Sequence, residues 1–336
     1  MLVSVCVPSY NRPTELRRLL ESIDPADESA VEVVVCEDNS PRRQAIKEAV
    51  MGFAQKTRLV VRYIENRENL GFDRNLKELV RQARGQWVLF MGDDDVFVPG
   101  ALDKLIGFLN IHPDLGYVLR SYLAVHRSGR IEKFRYYDGN RFFGPGSAAY
   151  LELFRKSVFI SGFTIKREMA LPYLIDDFDG TLIFQLYLMA EVVMHCQSAY
   201  FDEPLTQQYE KELAPSFGSA ASERALYTPG SVTVANSLNF LKGFFKITGY
   251  LDKKYGLSST ATITKDMSKY AYPILAIQRK RGPVVFGRYI RELNRLGLNC
   301  TVYYYIYSVA LMIFGERICN EVIRVVKSIL RKTPKL

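Results

Sequence analysis

Three aspartates, Asp93, Asp94 and Asp95, follow one another at the end of an apolar run in "WVLFMGDDDVFVPG", residues 87–100. Adjacent carboxylates repel unless a cation or a proton intervenes. A divalent cation with oxygen ligands relieves the repulsion directly. Mg²⁺ or Mn²⁺ takes one or two protein carboxylates, keeps waters and shares the phosphate oxygens of a substrate. The triplet therefore reads as a metal bridge to a diphosphate, or else as a solvated acidic turn capping a helix that starts near Gly100. Asp38, in "VVVCEDNS", ends another apolar run. An exposed aspartate there can accept from a base N–H or a ribose hydroxyl; with Asn39 and Ser40 it can equally cap a helix opening at Pro41. Arg74 and Asn75 fall in the first turn of a helix, where Arg74 can hold a phosphate, pair with the acids, or simply be a surface charge.

The elements that must position these groups alternate in type. Strands are expected at 2–8, 31–39, 58–66 and 86–91, and helices at 13–23, 41–55 and 72–83, the first opened by Pro13 with Leu16, Leu19, Leu20 and Ile23 on one stripe. Strands separated by helices of this length make βαβ units and a parallel sheet, whose ligands bind at the carboxyl ends of the strands. Residues 8–12, 37–40, 69–71 and 93–95 each follow one of these strands, so all four polar clusters fall on one edge.

After Pro99 the pattern changes. "YVLRSYLAV" and "RIEKFRYY" form a hairpin around "HRSGR", "SGFTIKREMALPYL" reads as strand then helix, residues 182–194 as a buried helix and "AYFDEPLTQQY" as a short strand and loop. Residues 214–231, rich in Ala, Ser, Gly and Pro, mark a boundary or mobile loop. Helices are expected at 230–250, 260–280, 284–296 and 302–332; on the last, Ile318, Val322, Val325, Val326 and Ile329 share a face and Arg317, Arg324, Arg331 and Lys332 lie elsewhere.

"VSVCVPSYNRPTELRRLLESI", "VVVCEDNS" and "NLGFDRNLKELVRQARGQWVLFMGDDD" together resemble family 2 glycosyltransferases, in order and spacing, from Val3 to Asp95. The last stretch looks most like bacterial O-antigen and surface-polysaccharide transferases, including the abequosyltransferase-like group. The resemblance implies the GT-A fold, a Rossmann-like α/β architecture with a mostly parallel sheet flanked by helices, here followed by a helical extension. It implies a domain over 1–212, with nucleotide-sugar binding in 1–100 and the acceptor side in 101–212, and a basic helical region over 213–336. Pro8, Tyr10 and Arg12 would line the nucleotide pocket, Asp38 would contact the base, and Asn69, Gly71 and Arg74 would shape the phosphate and ribose region. The family's DxD aligns with Gly92-Asp93-Asp94, so the first acid is absent here. Asp94 would hold Mg²⁺ or Mn²⁺, with Asp93 and Asp95 sharing its load. An acceptor hydroxyl attacks the anomeric carbon as the metal neutralises the departing diphosphate, and a carboxylate takes the proton. The family's Glu-Asp base position aligns with Gly180-Thr181, which has no acid; Asp179 is the first candidate, with Asp177 and Asp176 beside it in "LIDDFDG".

Composition bounds the partners. Residues 1–210 carry 25 Lys/Arg against 29 Asp/Glu, and residues 211–336 carry 20 against 7. A basic second part favours an anionic partner or is a solvating surface. The expected partners are a UDP-, GDP- or CDP-sugar donor, a saccharide acceptor carried on polyprenyl pyrophosphate, and an anionic membrane surface. Nucleic acid is not expected, because the aromatics at 303–307 sit in an apolar run and not among basic residues. The five cysteines form no CxxC pair and the three histidines make a Cys/His zinc site improbable; Cys6 and Cys36 read as buried thiols. No signal-peptide pattern opens the chain, and the run 301–315 is too short to cross a bilayer, which needs about 20 residues. A cytoplasmic protein, peripheral at the inner membrane face, is the expectation. Two rivals remain: a nucleotidyltransferase, which needs a glycine-rich loop where this chain has "PSYNRPTE", and a binding protein without turnover.

Overall fold

The computed structural model describes residues 1–210 and 216–330. It divides into two compact units, Met1–Ala225 and Leu226–Leu336. The first opens as β1 (Val3–Ser9), α1 (Pro13–Glu21), β2 (Val31–Glu37), α2 (Arg43–Ala54), β3 (Val60–Glu65), α3 (Phe72–Gln82) and β4 (Trp87–Phe90). These match the expected elements to within two or three residues at each end. It continues with β5 (Val96–Phe97), α4 (Ala101–Ile111), β6 (Leu115–Val125), β7 (Ile131–Phe134), β8 (Arg141–Phe143), α5 (Ser147–Leu153), β9 (Phe163–Lys166), α6 (Arg167–Ala170), α7 (Phe184–His195), β10 (Gln197–Tyr209) and α8 (Ala221–Arg224).

One sheet runs β3-β2-β1-β4-β9-β6-β10-β5, with β7 on β6 and β8 on β10. Its first four strands are parallel and in step: Ser9 lies beside Glu37, and Glu37 beside Glu65. Their carboxyl ends therefore reach the same edge. Both faces of β1 and β2 are buried, which is why they read as nearly continuous Val-rich runs. The thiols of Cys6 and Cys36 are buried there, and burial raises the pKa of both. Leu16, Leu19 and Leu20 of α1 and Leu102, Leu105 and Phe108 of α4 pack in one apolar cluster with alternate residues of β1, β2 and β4.

β6 and β7 form the expected hairpin. β10 does not end as a short strand. It pairs with β6 along 13 residues, with register shifts on either side of Pro204. Proline has no N–H to give to a ladder, so the strand bulges there and resumes. The first unit also continues past the break expected at 212, because residues 216–225 remain with it; residues 214 and 215 of the expected loop lie outside the described residues.

The second unit is α9 (Val234–Tyr255), α10 (Ser259–Lys269), α11 (Tyr272–Arg279), α12 (Pro283–Arg295) and α13 (Val302–Leu330). The single helix expected over 260–280 is two, because Pro273 can only occupy the first turn of a new one. α13 breaks at Gly315, whose φ is 72°. Ile318, Val322 and Val325 are exposed on it, whereas the side chains of Val326 and Ile329, and Arg331 and Lys332, lie outside the described residues.

Candidate active site

The acidic triplet sits at the carboxyl end of β4, and its mutual repulsion is answered from β1. Arg12 lies 3.0 Å from Asp93 Oδ1 and 3.3 Å from Asp94 Oδ2, and Tyr10 N–H points at Asp93 Oδ2 at 3.4 Å. Pro8 is the penultimate residue of the strand that delivers both. Burial acts against the Arg12 charge, yet Asp93 and Asp94 together raise its pKa. Burial pushes Asp93 up to about 7 although Arg12 pulls the other way. Arg18 of α1 donates to the Asp94 carbonyl at 2.8 Å.

The three acids are not equivalent. Asp93 and Asp95 are buried, while a third of the Asp94 side chain is exposed. Gly92 explains how the triplet folds over itself. A Cβ there would lie 3.1 Å from Asp95 Oδ2 and 3.3 Å from Asp94 Oδ1, so two carboxylate oxygens close over a position with no side chain. Among the described residues no group of three His, Cys, Asp or Glu is placed to hold a metal. Asp94 and Asp95, the two expected ligands, do bring Oδ1 and Oδ2 together over Gly92; two carboxylates completed by water and phosphate are the sparse set that Mg²⁺ or Mn²⁺ accepts.

Two residues that carry no sequence signal support the triplet. Ser161 Oγ accepts from Gly92 N–H at 2.8 Å and donates to Asp95 Oδ2 at 2.5 Å. Arg120, fully buried in β6, donates to the carbonyls of Ser161 and Phe163 at 3.0 and 2.9 Å. Burial lowers its pKa to about 9.

Beyond β2, Asp38 is not the exposed acceptor expected from sequence. It is buried, and both oxygens turn inward. Oδ1 accepts from Asn66 Nδ2 at 2.9 Å and Leu70 N–H at 2.8 Å, and Oδ2 from Gly71 N–H at 2.9 Å. Burial lifts its pKa to about 6 against these bonds. Asp38 therefore holds the turn that leads into α3. Asn75 takes part, accepting from Asn66 and donating to Cys36 O.

The same turn is gripped from far along the chain. Glu223 of α8 is buried and accepts from Phe72 N–H at 2.8 Å and Gly218 N–H at 2.6 Å. Asn69 Nδ2 donates to Ser219 Oγ at 3.0 Å. Glu223 thus caps a helix whose own N-cap, Gly71, has no side chain to offer. Only glycine suits position 71: its φ is +82°, and a Cβ would lie 2.6 Å from Glu223 Oε1.

Arg74 points to "LIDDFDG". Its Nε lies 2.6 Å from Asp179 Oδ2, and buried Lys77 lies 2.6 Å from Asp179 Oδ1 and also pairs with Asp176. Asp179, the first candidate for the base, is thus held between two cations, while Asp177 is exposed. The Asp179 pair raises the pKa of Arg74, and Lys77 lowers that of Asp176. One turn before Lys77, Asp73 is buried and accepts from Leu182 N–H and Phe184 N–H at 2.8 and 2.9 Å. It fastens α3 to the start of α7.

Residues 4–165 match the family model described as "Glycosyl transferase family 2". The chain carries a family 2 glycosyltransferase domain. That domain is 29% identical over 115 residues to abequosyltransferase RfbV of Salmonella typhimurium, covering 34% of each chain. It is 27% identical over 165 residues to the GalNAc(5)-diNAcBac-PP-undecaprenol beta-1,3-glucosyltransferase of Campylobacter jejuni, covering 48% of each. The matches thus span from a third to a half of the length of these curated relatives. The crystal structure of S. aureus TarS 1-349 in complex with UDP-GlcNAc is similar over 96% of this chain and 92% of that one, with a TM-score of 0.54 and 16% identity. At that identity the likeness is one of fold: the glycosyltransferase sheet followed by helices.

Proposed function

We propose that the chain transfers a sugar from a nucleoside diphosphate sugar to a saccharide hydroxyl, with inversion and with Mg²⁺ or Mn²⁺, in the building of a bacterial surface polysaccharide such as an O-antigen. The observation that carries the reading is the meeting of Arg12, the acidic triplet and the Asp38–Gly71 turn on one edge of a family 2 sheet. The undecaprenol diphosphate in the name of the Campylobacter relative supports a lipid-linked acceptor and a working place at the cytoplasmic face of an anionic membrane.

The roles follow from the contacts. Asp94, with Asp95 beside it, would hold the cation, which supplies charge neutralisation for the leaving diphosphate. Arg12 keeps Asp93 and Asp94 together and sets where their oxygens point. The Asp38–Gly71 turn forms the wall beside the nucleotide, with Pro8, Tyr10 and Asn69. Arg74 is half-exposed and can leave Asp179 for a donor phosphate. Its departure releases Asp179 Oδ2, with Oδ1 still on Lys77, to take the acceptor's proton as the hydroxyl oxygen bonds to the anomeric carbon and the bond to the diphosphate breaks.

A screen of UDP-, GDP- and CDP-sugars for thermal stabilisation with Mn²⁺ tests the donor site, and turnover of the stabilising donor tests the enzyme. Asp94→Ala should lower kcat by about 100-fold or more while the fold is kept; full turnover in that variant would remove the metal role. A second reading, a nucleotide-binding protein without turnover, is favoured by Gly92 in place of the first acid and by the two ion pairs on Asp179. Donor binding by calorimetry with no transfer to any acceptor would decide for it.

A further inference from the structure

Helix α13 opens with "VYYYIYSVALMIFG", residues 302–315, without one charged side chain. Its inward side is Tyr304, Ser308 and Leu311, all buried. Tyr304 Oη donates to Asn294 of α12 at 2.9 Å, and Arg279 of α11 donates to the Leu311 carbonyl at 2.8 Å. At about 100° per residue, Val302, Tyr305, Ile306, Val309 and Ile313 fall on the opposite side. Each of these five is between 50% and 67% exposed. Scattered exposed apolar residues are ordinary, but an unbroken row of roughly 20 Å marks a surface that something covers.

The border of the row says what. α12 turns Gly287, Ile290 and Asn294 toward α13. On its adjoining outward side it carries Arg288 and Arg291, both exposed, with Val284, 70% exposed, one turn before Arg288. Past the break at Gly315 the exposed side carries Arg317 and Arg324, the latter paired with Glu321, among Ile318 and Val322. Residues 226–336 carry 18 Lys/Arg against 5 Asp/Glu. A second copy is a poor occupant: a two-fold interface sets the same patch against itself, so arginine borders of two strongly basic units would meet. An anionic bilayer satisfies both parts. Apolar side chains enter the acyl boundary, guanidinium groups meet lipid phosphates, and Tyr303 and Tyr305 suit the headgroup level. Among the described residues no helix is long and apolar enough to cross a membrane.

We propose that α13 lies in the plane of an anionic bilayer surface, with its 302–313 row inserted and the α12 arginines on the headgroups. This deepens the reading of a lipid-linked acceptor. Its test uses no sugar, donor or metal, so it fails or succeeds apart from the chemistry.

The full chain is sedimented with phosphatidylcholine vesicles and with phosphatidylcholine–phosphatidylglycerol vesicles. Binding to the mixed vesicles should be roughly tenfold stronger or more, and raised salt should erase that preference. Val309→Asp with Ile313→Asp should weaken binding to the mixed vesicles by about tenfold or more. Arg288→Glu with Arg291→Glu should remove the preference for the anionic lipid. All four positions are exposed, so unchanged circular dichroism melting confirms that each variant is folded. As a second reading, Ile306→Trp should shift its emission to the blue on the mixed vesicles. The proposal is overturned if the wild-type chain stays in the supernatant with the mixed vesicles, or if the double aspartate variant binds as well as the wild type. It is also overturned if light scattering shows a dimer that Val309→Asp dissolves, since a second copy would then be the occupant.

Discussion

The two compact units treat charge and apolar surface in opposite ways. In Met1–Ala225 the charged groups at the carboxyl edge are drawn inward and tied to specific partners: Asp93 to Arg12, Asp179 to Arg74 and Lys77, Glu223 to the amides of Phe72 and Gly218. Among the described residues of Leu226–Leu336 every Lys and Arg but Arg279 is exposed, and a row of apolar side chains is exposed with them. A buried polar group is tolerable only with partners, so each one pins the loop that supplies them. An exposed apolar row pins nothing within the molecule. The first unit is thus suited to fix the positions of a few atoms, and the second to meet a surface whose atoms have no fixed positions.

The strongest way to break this contrast is at Arg120. Arg120→Ala should cost the first unit about 3 kcal/mol or more, because a large buried side chain and two hydrogen bonds to the Ser161 and Phe163 carbonyls go together. Chemical denaturation measures it. A loss under about 1 kcal/mol would mean that inward charge is not what holds this edge. Val309→Asp in the second unit, by contrast, should stay within about 0.5 kcal/mol of wild type.

A smaller effect sharpens the picture at the α3 cap. Glu223→Ala should cost about 1–2 kcal/mol, and amide exchange at Phe72 and Gly218 should quicken, since both lose their acceptor. Unchanged exchange would show that residues 216–225 are held by something else.

The smallest effect is a pair of slopes. Burial lifts Asp73 to about 7, helped by Glu223 and Asp179 and opposed by the Phe184 and Leu182 amides. The folded chain therefore keeps that proton after the unfolded chain has lost it, so its contribution to stability falls as pH rises from about 4 to about 7. Asp252 in the second unit is the reverse. Burial alone would raise it, but Ser259 and Thr260 hold its carboxylate below the usual range. Its contribution is present above the unfolded value and is lost as pH falls through the folded one. Asp73→Asn should flatten the first slope, at most about 1.4 kcal/mol per pH unit, and Asp252→Asn should flatten only the acid limb. Melting temperature against pH reads both; an unaltered slope in either variant would reassign the titration to other groups.

Much of the first hundred residues was legible because its information is local. Each strand and helix shows its period within a dozen residues, Pro13 announces α1, and the acids stand where β4 must end. The four polar clusters could be put on one edge because parallel strands in step must end together. Legibility failed where partners are remote. Ser161 lies 69 residues from Gly92, and Glu223 lies 151 from Phe72, so no periodicity couples them. "ASER" read as loop because its glutamate looks like any surface acid until the fold turns it inward. Asp38 misled for the same reason: sequence shows a carboxylate at a strand end but not which amides will face it.

Sequence alone determined the alternation of elements, the edge on which the polar clusters gather, and the excess of basic charge in the second part. Those follow from side-chain period and composition, which every short window carries. Tertiary structure decided which carboxylates are already claimed, which one reaches solvent, and which apolar side chains are left in water. Those depend on which groups distant segments bring within hydrogen-bonding distance, and burial then settles what each group can do.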